Sequence, residues 1–189
     1  MKSFPKAFGA GLTTRSDFPL RRSAGAVVAA GCAGMLPFIF PSIERGFFSR
    51  GTAVLAGLFT GAPVIEVDAG WLLGVANSPV VITDACSATD YFMITALLIA
   101  WHLSAPGRSV VVGSLSALVL ALPLTLGVNA FRIVVVSQLH HWTSSSVPSS
   151  YGHFVHLLIG VAVFLPSLIA LNLLLEIYGK SRVPVDHEA

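Results

Sequence analysis

The sequence predicts an all-α polytopic membrane protein: about four transmembrane helices, an interfacial or re-entrant helix, and a short extracytoplasmic β-hairpin. Three observations carry this. Of 189 residues, 54% are hydrophobic and 11% are charged, where an ordinary globular domain carries about 25% charged residues. A soluble domain this short cannot bury so much apolar surface and keep a polar exterior. The apolar residues also come in blocks near the roughly 20 residues that cross a bilayer core. The formal net charge of +2 is too small to point to nucleic acid.

The chain opens with a basic segment, residues 1–23, holding Lys2, Lys6, Arg15, Arg21 and Arg22 against Asp17 alone. The apolar stretch that follows, from Ala24 to about Ile43, is longer than the core of a cleaved signal peptide and reads as a retained signal anchor. The excess of positive charge then places the N-terminus in the cytoplasm. A second span is expected over about Ser87–Leu103, ending at Ser104-Ala-Pro-Gly-Arg108. A third is expected over about Ser109–Gly127 and a fourth over about Phe154–Ile177. Both termini then lie in the cytoplasm, and Arg108, Lys180 and Arg182 all fall on that side. The membrane-embedded domain is residues 24–178, and 179–189 form a cytoplasmic tail.

Phe47–Pro63 is apolar enough to span, but Gly51, Gly57 and Gly61 punctuate it and Arg45 and Arg50 flank it. A fifth full span would spoil the parity, so an interfacial or re-entrant helix is expected there. Val64-Ile-Glu-Val-Asp68 and Val80-Val-Ile-Thr83 are β-branched and bracket Gly70, Gly74, Asn77 and Pro79. They read as the two strands of a hairpin outside the membrane. Ser144-Ser-Ser-Val-Pro-Ser-Ser150 reads as a polar loop on the same side. Cys32 lies inside an apolar block, which argues against a disulfide with Cys86.

On this map the reactive residues gather on one face. Asp84, Cys86 and Asp90 sit where the hairpin enters the second span. Asn129 and Arg132 follow the outer end of the third. His140, His141, His153 and His156 bracket the entrance to the fourth. A thiol, a guanidinium and imidazoles at one depth suit covalent acyl transfer. Cys86 at a helix N-terminus meets unpaired amides and a dipole that favour negative charge. Arg132 would stabilise the thiolate or an oxyanion, and a histidine would carry the proton to a leaving amine. Taken singly, each has a plainer reading. Cys32 is a packing residue, Arg132 alone could snorkel to headgroups, and each histidine alone suits an interface. Asp90, one helical turn past Cys86, either orients a partner or caps backbone. The four histidines also raise the question of a metal, but their spacing matches no familiar site, so neither metal nor cofactor is expected.

Together, Asp84-Ala-Cys-Ser-Ala88, Asn129-Ala-Phe-Arg-Ile133 and His156-Leu-Leu-Ile-Gly160 with Phe164 resemble the signature of the exosortase/archaeosortase family. That signature is a Cys-Ser-Gly-like motif, an Asn-x-x-Arg motif and a late His or Arg, and the resemblance covers roughly Val64 to Ile177. It implies a membrane-embedded cysteine protease or transpeptidase in the bacterial inner (plasma) membrane, with its site on the extracytoplasmic face. The implied substrates are exported proteins carrying a C-terminal sorting signal: a short motif, a membrane helix and a basic tail. Cleavage would proceed through a Cys thioester, with water or an amine-bearing lipid or glycan as acceptor. By motif, Cys86 is the nucleophile, Arg132 the electrostatic stabiliser and His156 the proton-transfer residue, supported by Asn129, Asp90 and His153. Ala88 departs from the family's glycine, and the chain is shorter than members with about eight spans. The competing readings are a non-enzymatic membrane subunit or small transporter, and a rhomboid-like serine protease. A transporter would show midplane charges and repeated halves, and a rhomboid a Gly-x-Ser-x-Gly motif; none occurs here.

Overall fold

A computed structural model describes residues 17–39, 42, 44–75, 79–83, 86, 88–104, 109–146 and 152–180. For residues 17–19, 21, 22, 36–38, 44, 45, 140–146, 152, 153 and 180 it describes the backbone alone. Lys2, Lys6, Arg15, Asn77, Asp84, Ser87, Arg108 and Arg182 therefore lie outside the described residues, as do the side chains of Arg21, Arg22, Arg45, His140, His141, His153 and Lys180.

Five α-helices and three short strands follow one another in the order α1 (Asp17–Ile39), α2 (Arg50–Thr60), β1 (Val64–Val67), β2 (Gly70–Leu73), β3 (Val80–Ile82), α3 (Thr89–Leu103), α4 (Val110–Ser146) and α5 (Gly152–Lys180). A π-helical segment, Glu44–Ser49, leads into α2. The protein is mostly helical, as composition required. Two helical stretches, Val110–Leu139 and Phe154–Gly179, are long and apolar enough to cross a membrane. Ser23–Met35 within α1 and Thr89–Leu103 are apolar but shorter.

Several boundaries differ from expectation, each for a local reason. The first helix starts at Asp17 and ends at Ile39. Pro19 suits a first helical turn. The basic segment thus runs into the helix rather than ending before it. The third apolar helix does not stop at Gly127; α4 continues to Ser146. One glycine costs a helix only about 1 kcal/mol, and no helix breaker follows before the serines. Asn129 and Arg132 are therefore borne within a helix and not past its end, and the serine cluster begins in helical form. The second helix starts two residues later than expected, at Thr89.

The hairpin reading is corrected. Val64–Val67 pairs with Gly70–Leu73, and that strand pairs with Val80–Ile82, in a three-stranded antiparallel meander. The middle strand lies in what the glycines suggested was turn. Its Trp71, Leu72 and Leu73 supply apolar contacts on both faces, and Gly70 (φ 141°) makes the tight entry after Asp68-Ala69. A side chain at Gly70 would run into the carbonyl of Ile82, so only glycine allows β2 and β3 so close.

The helix expected over Phe47–Pro63 is α2, 11 residues long. At about 1.5 Å per residue it rises roughly 16 Å, and the π-helical segment Glu44–Ser49 directly before it lengthens that helical run. Gly61, in the left-handed conformation (φ 66°), ends it, as a C′ glycine commonly does.

Two cores result. Ala29 and Ala33 of α1, Phe92, Ala96 and Ala100 of α3, and Ala117 and Ala121 of α4 form one. Small residues at the contact let the helix backbones approach closely, which is how apolar helices associate without a hydrophobic drive. A Cβ on Gly25 would overlap Ser104 Oγ, and Ser114 Oγ donates to the Gly25 carbonyl at 3.1 Å. The second core joins Ala53 and Ala56 of α2, Leu73 and Ile82 of the sheet, Cys86, and Ala130 and Ile133 of α4. The start of α1, the end of α3 and the start of α4 thus meet at one end of the bundle. The sheet, α2 and the second half of α4 meet at the other. α5 returns from the sheet end, because its early residue His156 meets Arg132 and its late residue Asn172 meets His102.

Candidate functional site

Cys86 sits between β3 and α3, in a 3-10 turn. Its backbone is held from both sides. The Cys86 N–H donates to the Thr83 carbonyl at 2.9 Å, and its carbonyl accepts from Asn129 Nδ2 at 2.6 Å. The Thr83 carbonyl also accepts from Ser49 Oγ at 3.4 Å, which ties the turn to the start of α2. Asn129 Nδ2 is shared with Thr52 Oγ1 at 3.0 Å. Asn129 is fully buried in α4. One buried amide therefore anchors both the cysteine turn and α2. The sulfur itself is buried among the second core's apolar residues, with Thr83 Oγ1 4.0 Å away.

Past Cys86 the chain turns into α3 through Ala88, at φ 56° and ψ 29°. It is the one non-glycine residue with positive φ among the described residues. An L-residue pays about 1–2 kcal/mol for that conformation, and glycine does not. The departure from the family's glycine therefore falls on a position whose backbone favours glycine. The Ala88 carbonyl still accepts from the Phe92 N–H at 3.0 Å, so α3 starts normally behind it.

Arg132, 8% exposed, lies on α4 three residues past Asn129, on the same face of the helix. α5 seats it. His156, Gly160 and Phe164 recur every four residues, on one stripe of the helix. Arg132 Nη2 donates to His156 Nε2 at 2.8 Å. Gly160 leaves room for the guanidinium, since a Cβ there would stand 3.4 Å from Nε. Phe164 lies under the charge, its ring centroid 5.2 Å from Cζ, in cation–π geometry. An arginine can only donate, so His156 accepts on Nε2 and, when neutral, carries its proton on Nδ1.

Further along, Tyr91 of α3 stacks on Phe164, centroids 4.6 Å apart, and its hydroxyl meets Ser167 Oγ at 2.7 Å. Ser167 Oγ gives its own proton to the Phe164 carbonyl, so Tyr91 is the donor in that pair. At the far end His102 Nε2 meets Asn172 Oδ1 at 3.1 Å, and Asn172 Nδ2 donates to Glu176 Oε1 at 2.9 Å. An amide oxygen only accepts, so His102 is the donor.

Cys86, Asn129, Arg132 and His156 are thus brought together from three regions of the chain. Asp90 is not joined to them; it is exposed in the first turn of α3. Both cysteines are free, Cys32 exposed on α1. Among the described residues no three His, Cys, Asp or Glu side chains converge as a metal-sized group. Thr52, Thr83 and Tyr91 were not singled out from sequence, because a hydroxyl in an apolar helix or strand leaves no periodic signal there. Gly160 and Phe164 were visible as motif positions, without the reason for them.

The fold and site define a class: a mostly helical protein with two membrane-length apolar helices among the described residues, and a buried thiol, amide and guanidinium with a half-buried imidazole at one end. No family model, curated protein or solved structure matches the chain.

Proposed function

We propose that this protein is a multi-pass membrane cysteine protease or transpeptidase of exosortase type, cleaving C-terminal sorting signals of exported proteins. The observation that carries the reading is the buried Arg132 guanidinium held by His156, on the same helix as the Asn129 amide that holds the Cys86 turn. Burying a guanidinium at membrane depth is costly, and such groups are kept for a partner or a task. Here α5 devotes a stripe of three positions to seating it.

The exposed apolar surface supports the membrane setting. Only 6% of the apolar window in α5 is buried, and Leu157, Val161, Leu165, Ile169 and Leu173 are all more than half exposed. Soluble monomers rarely show an apolar patch beyond a few hundred Å². In this reading α1, α3, α4 and α5 all cross, alternating in direction. α3, about five residues short of a full crossing, is completed by the passage through Cys86. Backbone that leaves the α-helix at that depth must be buried in protein, as Cys86 is. Both termini lie in the cytoplasm and the Cys86 end faces outside.

In the reaction, the thiol proton passes to His156 Nε2, which gives up its bond from Arg132. The sulfur attacks the carbonyl carbon of the scissile peptide, and the released guanidinium turns to the oxyanion that forms. The C–N bond then breaks and the leaving amine takes the proton from His156, leaving a thioester on Cys86. Water, or an amine on a lipid or glycan, attacks the thioester and restores the thiol.

The test is processing of a genetically linked substrate ending in a motif, a span and a basic tail, with adducts read by mass spectrometry. Cys86→Ser should abolish processing at normal abundance, because a hydroxyl is hardly ionised near neutral pH. His156→Ala should also abolish processing and leave little adduct on Cys86, because the leaving amine then lacks the proton donor that thioester formation needs. His156→Gln, which can still accept from Arg132, should resemble His156→Ala. Normal processing by Cys86→Ser would remove the enzyme reading, and rescue by glutamine would make His156 a positioning residue.

A further inference from the structure

The three-stranded sheet leads directly into the cysteine turn. Ile82 is fully buried and faces β2, since its carbonyl lies against the Gly70 Cα. In an antiparallel ladder the N–H and C=O of successive residues point to opposite edges. The N–H and C=O of Val81 therefore point away from β2. β3 is the last strand of the sheet, and Val81 is 42% exposed. No backbone bond at this outer edge joins Val81 to any described residue. An open edge is a template for another strand. Proteins commonly blunt such edges with charge or proline, and Val80-Val-Ile82 carries neither.

A second observation points to a ligand at the cysteine end of the sheet. Arg132 Nε and Asn129 Oδ1 are buried and have no hydrogen-bond partner among the described residues. Asn129 holds the Cys86 turn, and Arg132 lies three residues past it on the same face of α4. A buried donor left unmade costs about 1–3 kcal/mol, which a peptide carbonyl on Nε would recover.

We propose that the free edge of β3 is the docking surface for the substrate's extended segment, which adds as a fourth strand and pairs with the main chain of Val81. This deepens the protease reading and rests on it. Strand addition supplies affinity through main-chain bonds, so it is tolerant of side chains along the edge. β3 ends four residues before Cys86. A peptide laid on β3 is therefore led to the sulfur, where its scissile carbonyl meets Arg132. Sequence specificity must then come from side-chain contacts elsewhere, not from Val81.

The probes are two chloromethyl ketones with the same reacting group, acetyl-alanyl and acetyl-trialanyl, applied to the full chain in detergent. Alkylation of Cys86 and of Cys32 is followed separately by mass spectrometry. The expected result is that the trialanyl probe alkylates Cys86 at least tenfold faster than the alanyl probe, with no such gain at Cys32. N-methylation of the trialanyl amides should erase the gain on the unaltered protein. Val81→Pro, which removes the outward N–H but no bond to β2, should erase it too. Val81→Thr should keep it within about twofold. A gain that survives both N-methylation and Val81→Pro would overturn the proposal, as would the absence of any gain. If neither probe alkylates Cys86 faster than Cys32, the nucleophile reading itself fails, and the two failures are told apart.

Discussion

The block formed by α1, α3 and α4 and the lone helix α5 are both apolar, yet they are held in opposite ways. In the block, Ala29 and Ala33 cluster with Ala96, Ala100, Ala117 and Ala121, and Gly25 lies against Ser104 and Val110. α5 keeps almost none of its apolar surface inside. It is fastened by polar contacts: His156 to Arg132, Ser167 to Tyr91, Asn172 to His102. In lipid, apolar contact between helices gains little over contact with acyl chains, so close packing and hydrogen bonds decide. The block uses the first and α5 the second. The difference places Arg132 on a helix of the packed block and the histidine on the helix that a few polar bonds hold.

The largest effect should come where the two regions meet. Arg132→Lys keeps the charge but loses the planar fork that reaches His156 while leaving Nε free. Processing should fall about 100-fold or more, nearly as far as with Arg132→Ala. If lysine restores most activity, Arg132 acts as a point charge and the link between the regions is weaker than drawn.

Gly25→Val tests the block alone. The added methyls meet Ser104 Oγ at a backbone-close contact, and overpacking of this kind costs about 1–3 kcal/mol. Thermal unfolding in detergent should show a clear fall in Tm, with specific activity of the folded fraction intact. An unchanged Tm would mean that α1 is not packed as tightly as the contact implies.

Ser167→Ala tests α5. It removes one peg, worth about 1 kcal/mol, and leaves Tyr91 without its acceptor. The effect should appear more in processing, through the placement of His156, than in unfolding. Equal loss in both measurements would make α5 a structural helix like the others.

The smallest change should be a gain. Ala88→Gly relieves the left-handed strain but adds chain entropy, for a net stabilisation of about 0.5–1 kcal/mol. A destabilised variant would show that the Ala88 side chain packs in a way that outweighs its backbone strain.

Sequence alone determined the apolar class of the chain, the helical character of four apolar blocks, and a helix within Phe47–Pro63. These follow from composition and length, which act locally and need no partner. It also singled out Cys86, Asn129, Arg132 and His156, because polar groups stand out against an apolar background. Only tertiary structure decided how they meet. Nothing in the order of residues says that the Asn129 amide holds the Cys86 carbonyl rather than its thiol, or that His156 receives a bond from Arg132. The middle strand was hidden because four residues, the first a glycine, carry too little periodicity to separate strand from turn. α4 ran past its expected end because helix continues wherever no breaker intervenes and neighbours bury its polar side chains. Asp90 shared a helical face with Cys86 on paper, but the helix begins only at Thr89. The left-handed turn at Ala88 breaks that periodicity and leaves Asp90 exposed.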